Sequence, residues 1–301
     1  MSNNLIGTIY ALAAFISWGL LPMYWKLLQQ VPSSEILAHR VFWSFVLVSV
    51  LLFIKGQWAA LKQTLAVKKN RIPLLLSTML ISVNWFLYIW AVNANHIVEA
   101  SMGYYINPLF SVFLGVVVLH ERLNFWQLVS LVIAAGGVLM ITVEYGKFPW
   151  IALTLALTFG LYGLAKKIVS VDALIGLGLE TACVAPICLT YIVFQQFQGI
   201  GSLGTVSLTI TLLLIFSGVV TAFPLLWFAQ AAKKIPLSRV GFIQYVSPTL
   251  MLLLGVIIFK EPFTKVHLIS FGCIWCALVL YSFSHTAFLN NRQQKRFNNA
   301  S

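Results

Sequence analysis

Ten long apolar segments joined mostly by short connections are the feature that most restricts how this chain of 301 residues can fold. About 20 apolar residues, rising 1.5 Å each as a helix, cross a hydrocarbon core of about 30 Å. Because hydrocarbon offers no partner to backbone polar groups, each spanning segment must be helical. The predicted helices cover residues 5–27, 36–54, 73–94, 100–119, 125–143, 149–165, 176–197, 208–231, 238–259 and 266–284. We therefore predict an all-α integral membrane protein with ten transmembrane helices.

An internal repeat divides the chain into two halves of five helices. The pattern of residues 103–123 returns at 241–263, an offset of 140 residues that aligns Pro108 with Pro248. Five is an odd number, so the second half enters the membrane from the opposite side, and the two repeats are inverted. Inverted repeats are typical of transporters that bind solute between their halves.

The repeat also predicts the domain boundaries. The first half covers residues 1–143, the second covers 149–284, and residues 285–301 form a basic cytoplasmic tail. Near the start of each half, an offset of 141 residues aligns Gly19 with Gly160. Two structurally similar halves are therefore expected, with no soluble domain between them.

The net charge of +12 is explained by membrane orientation rather than by a nucleic-acid partner. Cytoplasmic segments carry more Lys and Arg than external ones. With a cytoplasmic amino terminus, thirteen lie inside: Lys55, Lys62, Lys68, Lys69, Arg71, Arg122, Lys166, Lys167, Lys233, Lys234, Arg292, Lys295 and Arg296. Only four lie outside: Lys26, Lys147, Lys260 and Lys265. We predict a multi-pass protein of the cytoplasmic (inner) membrane with both termini in the cytoplasm.

Two apparent cofactor motifs lie in the wrong surroundings. Residues 199–204 match GxGxxG, but they fall in an external loop, whereas a dinucleotide site needs a preceding strand. Cys273 and Cys276 form a CxxC pair inside the last apolar segment, where a metal or redox site would lack polar neighbours. The sequence also contains no Walker loop. We predict no cofactor, no metal and no ATP-driven pumping.

Polar and aromatic residues within the helices are the candidates for a substrate cavity, because polar groups in a membrane are costly unless they are paired or hydrated. Most lie on the third, fourth, eighth and ninth predicted helices. The cavity candidates are Asn84, Trp85, Tyr88, Tyr105, Asn107, Trp227, Gln230, Gln244, Tyr245 and Ser247. Plain packing is the alternative role for these side chains.

Two further sets of residues are candidates for moving parts. Pro108 and Pro248 each free a backbone carbonyl one turn upstream, so both predict helix kinks. Glu35 and His39 share a helix face at a spacing of four residues, which makes them candidates for proton coupling.

Four intramembrane charges have opposite signs in the two halves. At an offset of 140 residues, Arg40 aligns with Glu180, and Glu99 aligns with Arg239. Since a buried charge needs a partner, we predict that Arg40–Glu99 closes the external end and Glu180–Arg239 closes the cytoplasmic end. The alternative is that each side chain extends separately to its interface.

These residues together resemble a known family. Each half has Pro, then Gly seven residues later, then Glu six residues beyond, which resembles the EamA domains of the drug/metabolite transporter superfamily. The strings at 35–45, 84–109 and 241–256 look like the RarD subfamily. The resemblance implies a bacterial inner-membrane carrier of ten helices. Small multidrug relatives use an acidic residue in their first helix, but this chain has none before Glu35, so that coupling mechanism is not transferred.

The best-supported function is secondary transport of a small organic solute, such as an amino acid, a metabolite or an amphenicol-like drug, by alternating access. A flippase for a lipid-linked group is the first alternative, and an intramembrane enzyme is the second. The expected partners are a small-molecule substrate and the lipid bilayer. The oligomeric state is left open between monomer and dimer.

Overall fold

The structure is a computed structural model that describes residues 3–94, 96–169, 171–258 and 265–284. Every regular element in these ranges is helical, and they contain no strand. The α-helices are α1 (Asn3–Leu27), α2 (Ser33–Ile54), α3 (Trp58–Ala66), α4 (Lys68–Asn93), α5 (Ile97–Val117), α6 (Phe125–Tyr145), α7 (Trp150–Ile168), α8 (Ala173–Phe197), α9 (Leu208–Lys234), α10 (Leu237–Gln244), α11 (Val246–Leu253) and α12 (Lys265–Ser284). A π-helical turn, Leu254–Ile258, continues α11.

The predicted all-α membrane fold is confirmed. Each of the ten predicted apolar segments forms a helix over its described residues, and α10, α11 and the π-turn together make the ninth. Eight of the described helices are long and apolar enough to cross a membrane, and α4 and α5 contain the shorter apolar stretches Ile72–Tyr88 and Met102–Val117. The sequence analysis missed α3, because this nine-residue helix lies within a basic connection that carries no spanning signal.

Side-chain caps mark several helix ends. Asn124 and Gln127 form a capping box at the start of α6, in which each side chain accepts a hydrogen bond from the other residue's backbone N–H. Asp172 caps α8 by accepting the Leu174 N–H, and Ser207 caps α9 by accepting the Ile210 N–H. Each of these caps fixes the residue at which a helix begins, directly after a connection.

The two halves interleave. Helix α1 packs against α9 and α11, whereas its repeat counterpart α7 packs against α4 and α5. Three further contacts, α2–α8, α5–α10 and α6–α12, join a helix of one half to its own counterpart in the other. Since most extensive contacts cross between halves, neither half buries its helix faces alone.

One end of the bundle holds the start of α1 and the end of α12, and we call it the termini end; the other is the opposite end. The α5–α6 and α9–α10 connections meet at the termini end, where Glu121 accepts the backbone N–H groups of Leu237 at 2.7 Å and Ser238 at 2.8 Å. The Asn124 side chain there donates to the Ser284 carbonyl oxygen at 3.3 Å. The Glu121 carboxylate thus caps the amino terminus of α10.

The aligned glycines occupy equivalent places. A Cβ on Gly19 would lie 3.1 Å from the carbonyl oxygen of Ser247, and one on Gly160 would lie 3.9 Å from the Asn107 side-chain oxygen. Ser247 and Asn107 are themselves separated by the 140-residue offset. The repeat seen in the sequence therefore recurs in the packing of α1 on α11 and of α7 on α5.

The two repeat prolines have different surroundings. Helix α10 ends at Gln244 and α11 begins at Val246, so the ninth span is interrupted one turn before Pro248. Helix α5 runs from Ile97 to Val117 through Pro108 as one assigned helix. A break therefore accompanies one proline of the pair, and a functional role for either remains a prediction.

Aromatic rings fill the centre of the bundle. Phe15 and Trp18 of α1 meet Phe159 and Tyr162 of α7 and Phe228 of α9. Trp18 and Phe159, which the repeat aligns, pack edge-to-face with centroids 5.6 Å apart. Edge-to-face pairs are favourable beyond the area that they bury. The contact between repeat mates places the aromatic cluster at the junction of the two halves.

A close approach of α2 and α9 at Gly218 leads to a prediction about stability. A Cβ on Gly218 of α9 would lie 2.3 Å from the backbone carbonyl carbon of Trp43 on α2, so Gly218→Ala must force the helices apart. We expect a loss of about 1–3 kcal/mol in the free energy of unfolding, measured in detergent. Gly136→Ala is the matched control, since its Cβ would meet nothing within 4 Å. Alanine favours helix, so that variant should equal or exceed wild-type stability. Equal stabilities of the two variants would contradict the packing.

Candidate functional site

A buried ion pair closes part of the termini end. Glu180 of α8 is 1% exposed, and its Oε1 lies 2.6 Å from Lys166 Nζ of α7. Ser77 Oγ of α4 donates to the same carboxylate oxygen at 2.5 Å, and the Tyr162 hydroxyl donates to Oε2 at 3.2 Å. Lys166 Nζ also lies 5.1 Å from the centre of the Tyr162 ring. One carboxylate therefore holds α4, α7 and α8 together.

A small cavity beside this ion pair brings two more charges to the same end. Lys233, from the last turn of α9, and Asp172, the cap of α8, line it together with Lys166 and Ser77. Two cations and two anions thus gather at the termini end of α7, α8 and α9. Opposite charges in a low-dielectric interior attract strongly, so this cluster favours a closed termini end.

The predicted Glu180–Arg239 pair is not formed in this structure, and its role as a gate stays a prediction. Glu180 pairs with Lys166, whereas Arg239 on the first turn of α10 interacts with the Tyr281 hydroxyl of α12. The sequence register indicated a similar depth for Glu180 and Arg239, but it did not indicate the directions in which the side chains point. Lys166 was counted only as a cytoplasmic charge, so the sequence analysis missed its role as the partner of Glu180.

Arg40 lies towards the opposite end among neutral groups. Its Nε donates to Thr221 Oγ1 of α9 at 3.2 Å, and its guanidinium carbon lies 5.1 Å from the centre of the Trp25 ring. The hydroxyls of Tyr88 and Tyr104 are close enough to interact with it electrostatically. The side chain of Glu99 lies outside the described residues, so the Arg40–Glu99 gate stays a prediction.

Glu35 and His39 lie where the α8–α9 loop meets α2. Glu35 is 1% exposed and accepts hydrogen bonds from Ser202 N at 2.6 Å and Ser202 Oγ at 2.8 Å. His39 Nε2 lies 3.7 Å from Glu35, and Trp43 Nε1 donates to His39 Nδ1 at 3.3 Å. Since Nδ1 accepts, the neutral ring carries its proton on Nε2, facing Glu35. This geometry fastens the α8–α9 loop to α2, and proton coupling stays a prediction.

The ten cavity candidates fall into two groups. Six are partly exposed: Asn84, Trp85, Tyr88, Tyr105, Trp227 and Gln230. Four are buried in the packed part of the bundle: Asn107, Gln244, Tyr245 and Ser247. Asn84 Nδ2 donates at 2.9 Å to the Leu155 carbonyl and to Thr158 Oγ1, and so joins α4 to α7. Partial exposure within a spanning helix is compatible with contact with a cavity or with lipid, so cavity lining stays a prediction.

Buried polar groups at the crossing of α5 and α10 seal that interface. Ser111 Oγ donates to Gln244 Oε1 at 3.3 Å across the crossing. Among the described residues, neither the hydroxyl of Tyr245, which is 1% exposed, nor Asn107 Oδ1 has a hydrogen-bond partner. Orphaned buried polar atoms are uncommon and costly.

The geometry defines a multi-pass helical membrane protein, with its ionised groups inside the bundle or at its two ends. Over the described residues no three His, Cys, Asp or Glu side chains group as metal ligands would. The sequence profile of the EamA-like transporter family matches the chain twice, at residues 5–143 and 148–283. The chain therefore belongs to the EamA-like transporter family.

Named relatives agree with this assignment. The uncharacterized transporter YojE of Bacillus subtilis is 50% identical over 284 residues, which cover 92% of this chain and 94% of the relative. Protein RarD of Escherichia coli is 41% identical, with 91% and 93% covered. The chloramphenicol-sensitive protein RarD of Pseudomonas aeruginosa is 28% identical, with 96% and 97% covered. The resemblance to RarD is confirmed, and the protein is a membrane transporter rather than an enzyme.

A solved structure supports the same fold. One crystal structure superposes on this chain with a TM-score of 0.70 at 17% sequence identity. The superposition covers 92% of this chain and 97% of that chain. At this level of identity the likeness concerns the fold alone.

The Lys166–Glu180 pair predicts a strong energetic coupling. Lys166→Met or Glu180→Met alone leaves one buried charge unpaired, which should lower the free energy of unfolding by about 3–5 kcal/mol. The double variant removes both charges and should cost less than either single change. Denaturant titration in detergent measures all four proteins, with exposed Lys62→Met as the control. Additive costs would show that the two side chains do not depend on each other.

Proposed function

We propose that this protein is a secondary transporter that moves a small organic solute across the bacterial inner membrane by alternating access. Membership of a transporter family supports the class of function, and the Lys166–Glu180 cluster at one end supports the mechanism. A helix bundle that ion pairs close at one end can open a central cavity to solvent at the other end. Inverted five-helix halves would then exchange these states by rocking.

Both termini are proposed to lie in the cytoplasm, so the termini end with Lys166 and Glu180 would face the cytoplasm. The support is the excess of Lys and Arg on connections at that end. In this state the cytoplasmic end would be closed, and the partly exposed residues Tyr88 and Trp227 would be reached from outside.

The proposed solute is neutral, zwitterionic or partly aromatic. All six partly exposed candidates, Trp85 and Gln230 among them, have aromatic or amide side chains. Amino acids and amphenicols form the starting panel, the latter because a relative is named chloramphenicol-sensitive. The driving force is the solute gradient or a coupled ion. A lipid flippase is the second candidate function, to which Arg40 would contribute a basic group.

The orientation is tested by cysteine accessibility. With the native cysteines replaced, Val206→Cys in the exposed α8–α9 loop should react with an impermeant thiol reagent in intact cells. Lys55→Cys, on the exposed α2–α3 connection, should react only after the membrane is permeabilised. The same two variants in permeabilised cells control for intrinsic reactivity. Labelling at Lys55→Cys, but not at Val206→Cys, in intact cells would reverse the orientation.

Transport is tested by comparing solutes released by cells with and without the gene, followed by flux of the best solutes into sealed liposomes. Tyr88→Ala and Gln230→Ala should each lower flux about tenfold or more, because a polar contact to the solute is lost. Tyr245→Phe is the matched control, since that buried hydroxyl has no partner. Accumulation of lipid-linked substrates alone would favour the flippase, and unchanged flux in both alanine variants would place the cavity elsewhere.

A further inference from the structure

Arg40 and Glu180 occupy equivalent positions in the two halves, and so do the residues beside them. The 140-residue offset aligns Arg40 with Glu180, and the 141-residue offset at the start of each half aligns Trp25 with Lys166. In each half, a residue near the end of the first helix therefore contacts a residue of the second helix. The contact is Trp25 on Arg40 in one half and Lys166 on Glu180 in the other.

The two equivalent contacts differ in charge. Lys166 neutralises Glu180 at 2.6 Å, so that site is electrically complete. Trp25 offers Arg40 the face of a ring at 5.1 Å, an attraction of cation–π type that leaves the positive charge in place. The replacement of a charged partner by an aromatic one thus leaves the positive charge of Arg40 without the counter-charge that Lys166 gives Glu180.

The remaining neighbours of Arg40 do not remove this charge. Thr221 accepts from Nε, and Tyr88 and Tyr104 present hydroxyls. None of these side chains is an anion at neutral pH. Among the side chains that the structure describes, no carboxylate forms an ion pair with Arg40; those of Glu35 and Glu180 bind other partners. An intramembrane charge without a counterion is costly and usually marks a functional site.

We infer that Arg40 is the anion-binding residue of the solute site, and that the solute carries one carboxylate on an apolar or aromatic body. The inference rests on the proposed transport function and restricts its solutes to those that carry a carboxylate, zwitterions included, so that neutral solutes drop out. Thr221 occupies Nε, which leaves the two terminal nitrogens of the guanidinium for a carboxylate. Trp25, Tyr88 and Tyr104 supply aromatic surface beside it. A bound carboxylate would complete in this half the ion pair that Glu180 and Lys166 make in the other.

The test measures the charge preference of the site without a known substrate. A thiol is placed by Tyr88→Cys in the full chain, and two methanethiosulfonate reagents are compared, one ending in a sulfonate and one in a trimethylammonium group. The background lacks the four native cysteines, Cys183, Cys188, Cys273 and Cys276. With Arg40 present, the ratio of the sulfonate rate to the ammonium rate should be about tenfold higher than with Arg40→Gln.

Two variants serve as controls. Arg40→Lys keeps the charge and should keep most of the ratio, which separates charge from local packing. Lys233→Gln removes a positive charge at the termini end and should leave the ratio unchanged. Only variants that elute as a single species in detergent are compared, so that misfolding does not enter the ratio.

Three outcomes would overturn the inference. The first is an unchanged ratio in Arg40→Gln. The second is a Tyr88→Cys thiol that reacts with neither reagent, which would mean that no solute reaches the site. A preference for the anion that appears only in Glu99→Gln would show that Glu99 neutralises Arg40 and would restore the predicted gate. Liposome flux is scored separately: flux without a charge preference removes this inference alone, whereas a charge preference without flux removes the transport proposal alone.

Discussion

An ionised side chain inside a helix bundle must have its counter-charge or hydrogen-bond donors supplied by the protein, and much of this structure follows from that constraint. Glu180 draws α4, α7 and α8 together through Ser77, Tyr162 and Lys166. Glu121 uses the same chemistry at the start of α10, where backbone N–H groups replace the cation. Such contacts are worth far more in a low-dielectric interior than in water, so they select which helix faces meet.

The helix packing is similar in the two halves, whereas the charged residues at equivalent positions differ. The packing of α1 on α11 is repeated by α7 on α5, and Trp18 meets its own counterpart Phe159 at the centre. The charged positions do not repeat, because the cation that neutralises Glu180 has an aromatic ring as its counterpart beside Arg40. Two ends built alike but charged differently can bind chemically different groups.

Sequence reasoning succeeded for features that depend only on the order of residues along the chain. Apolar length predicted the ten apolar helical segments. It missed α3, a short helix outside the hydrocarbon-length segments. It also paired Glu180 with Arg239, because register gives the depth of a residue but not the direction in which its side chain points. Of the cavity candidates, Tyr88 and Gln230 are partly exposed, whereas Tyr245 is packed, and hydropathy does not separate these cases.

The sequence by itself determined the membrane class, the apolar helical segments and the recurrence of one pattern in two halves, since these depend on apolar length and periodic recurrence along the chain. Only the tertiary structure decided that Lys166 neutralises Glu180, that Ser202 holds Glu35, and that Arg40 rests on Trp25. Each of these contacts joins side chains whose meeting depends on the rotation and crossing of whole helices. That rotation is set by the close packing of many side chains from distant parts of the chain, which no local sequence pattern specifies.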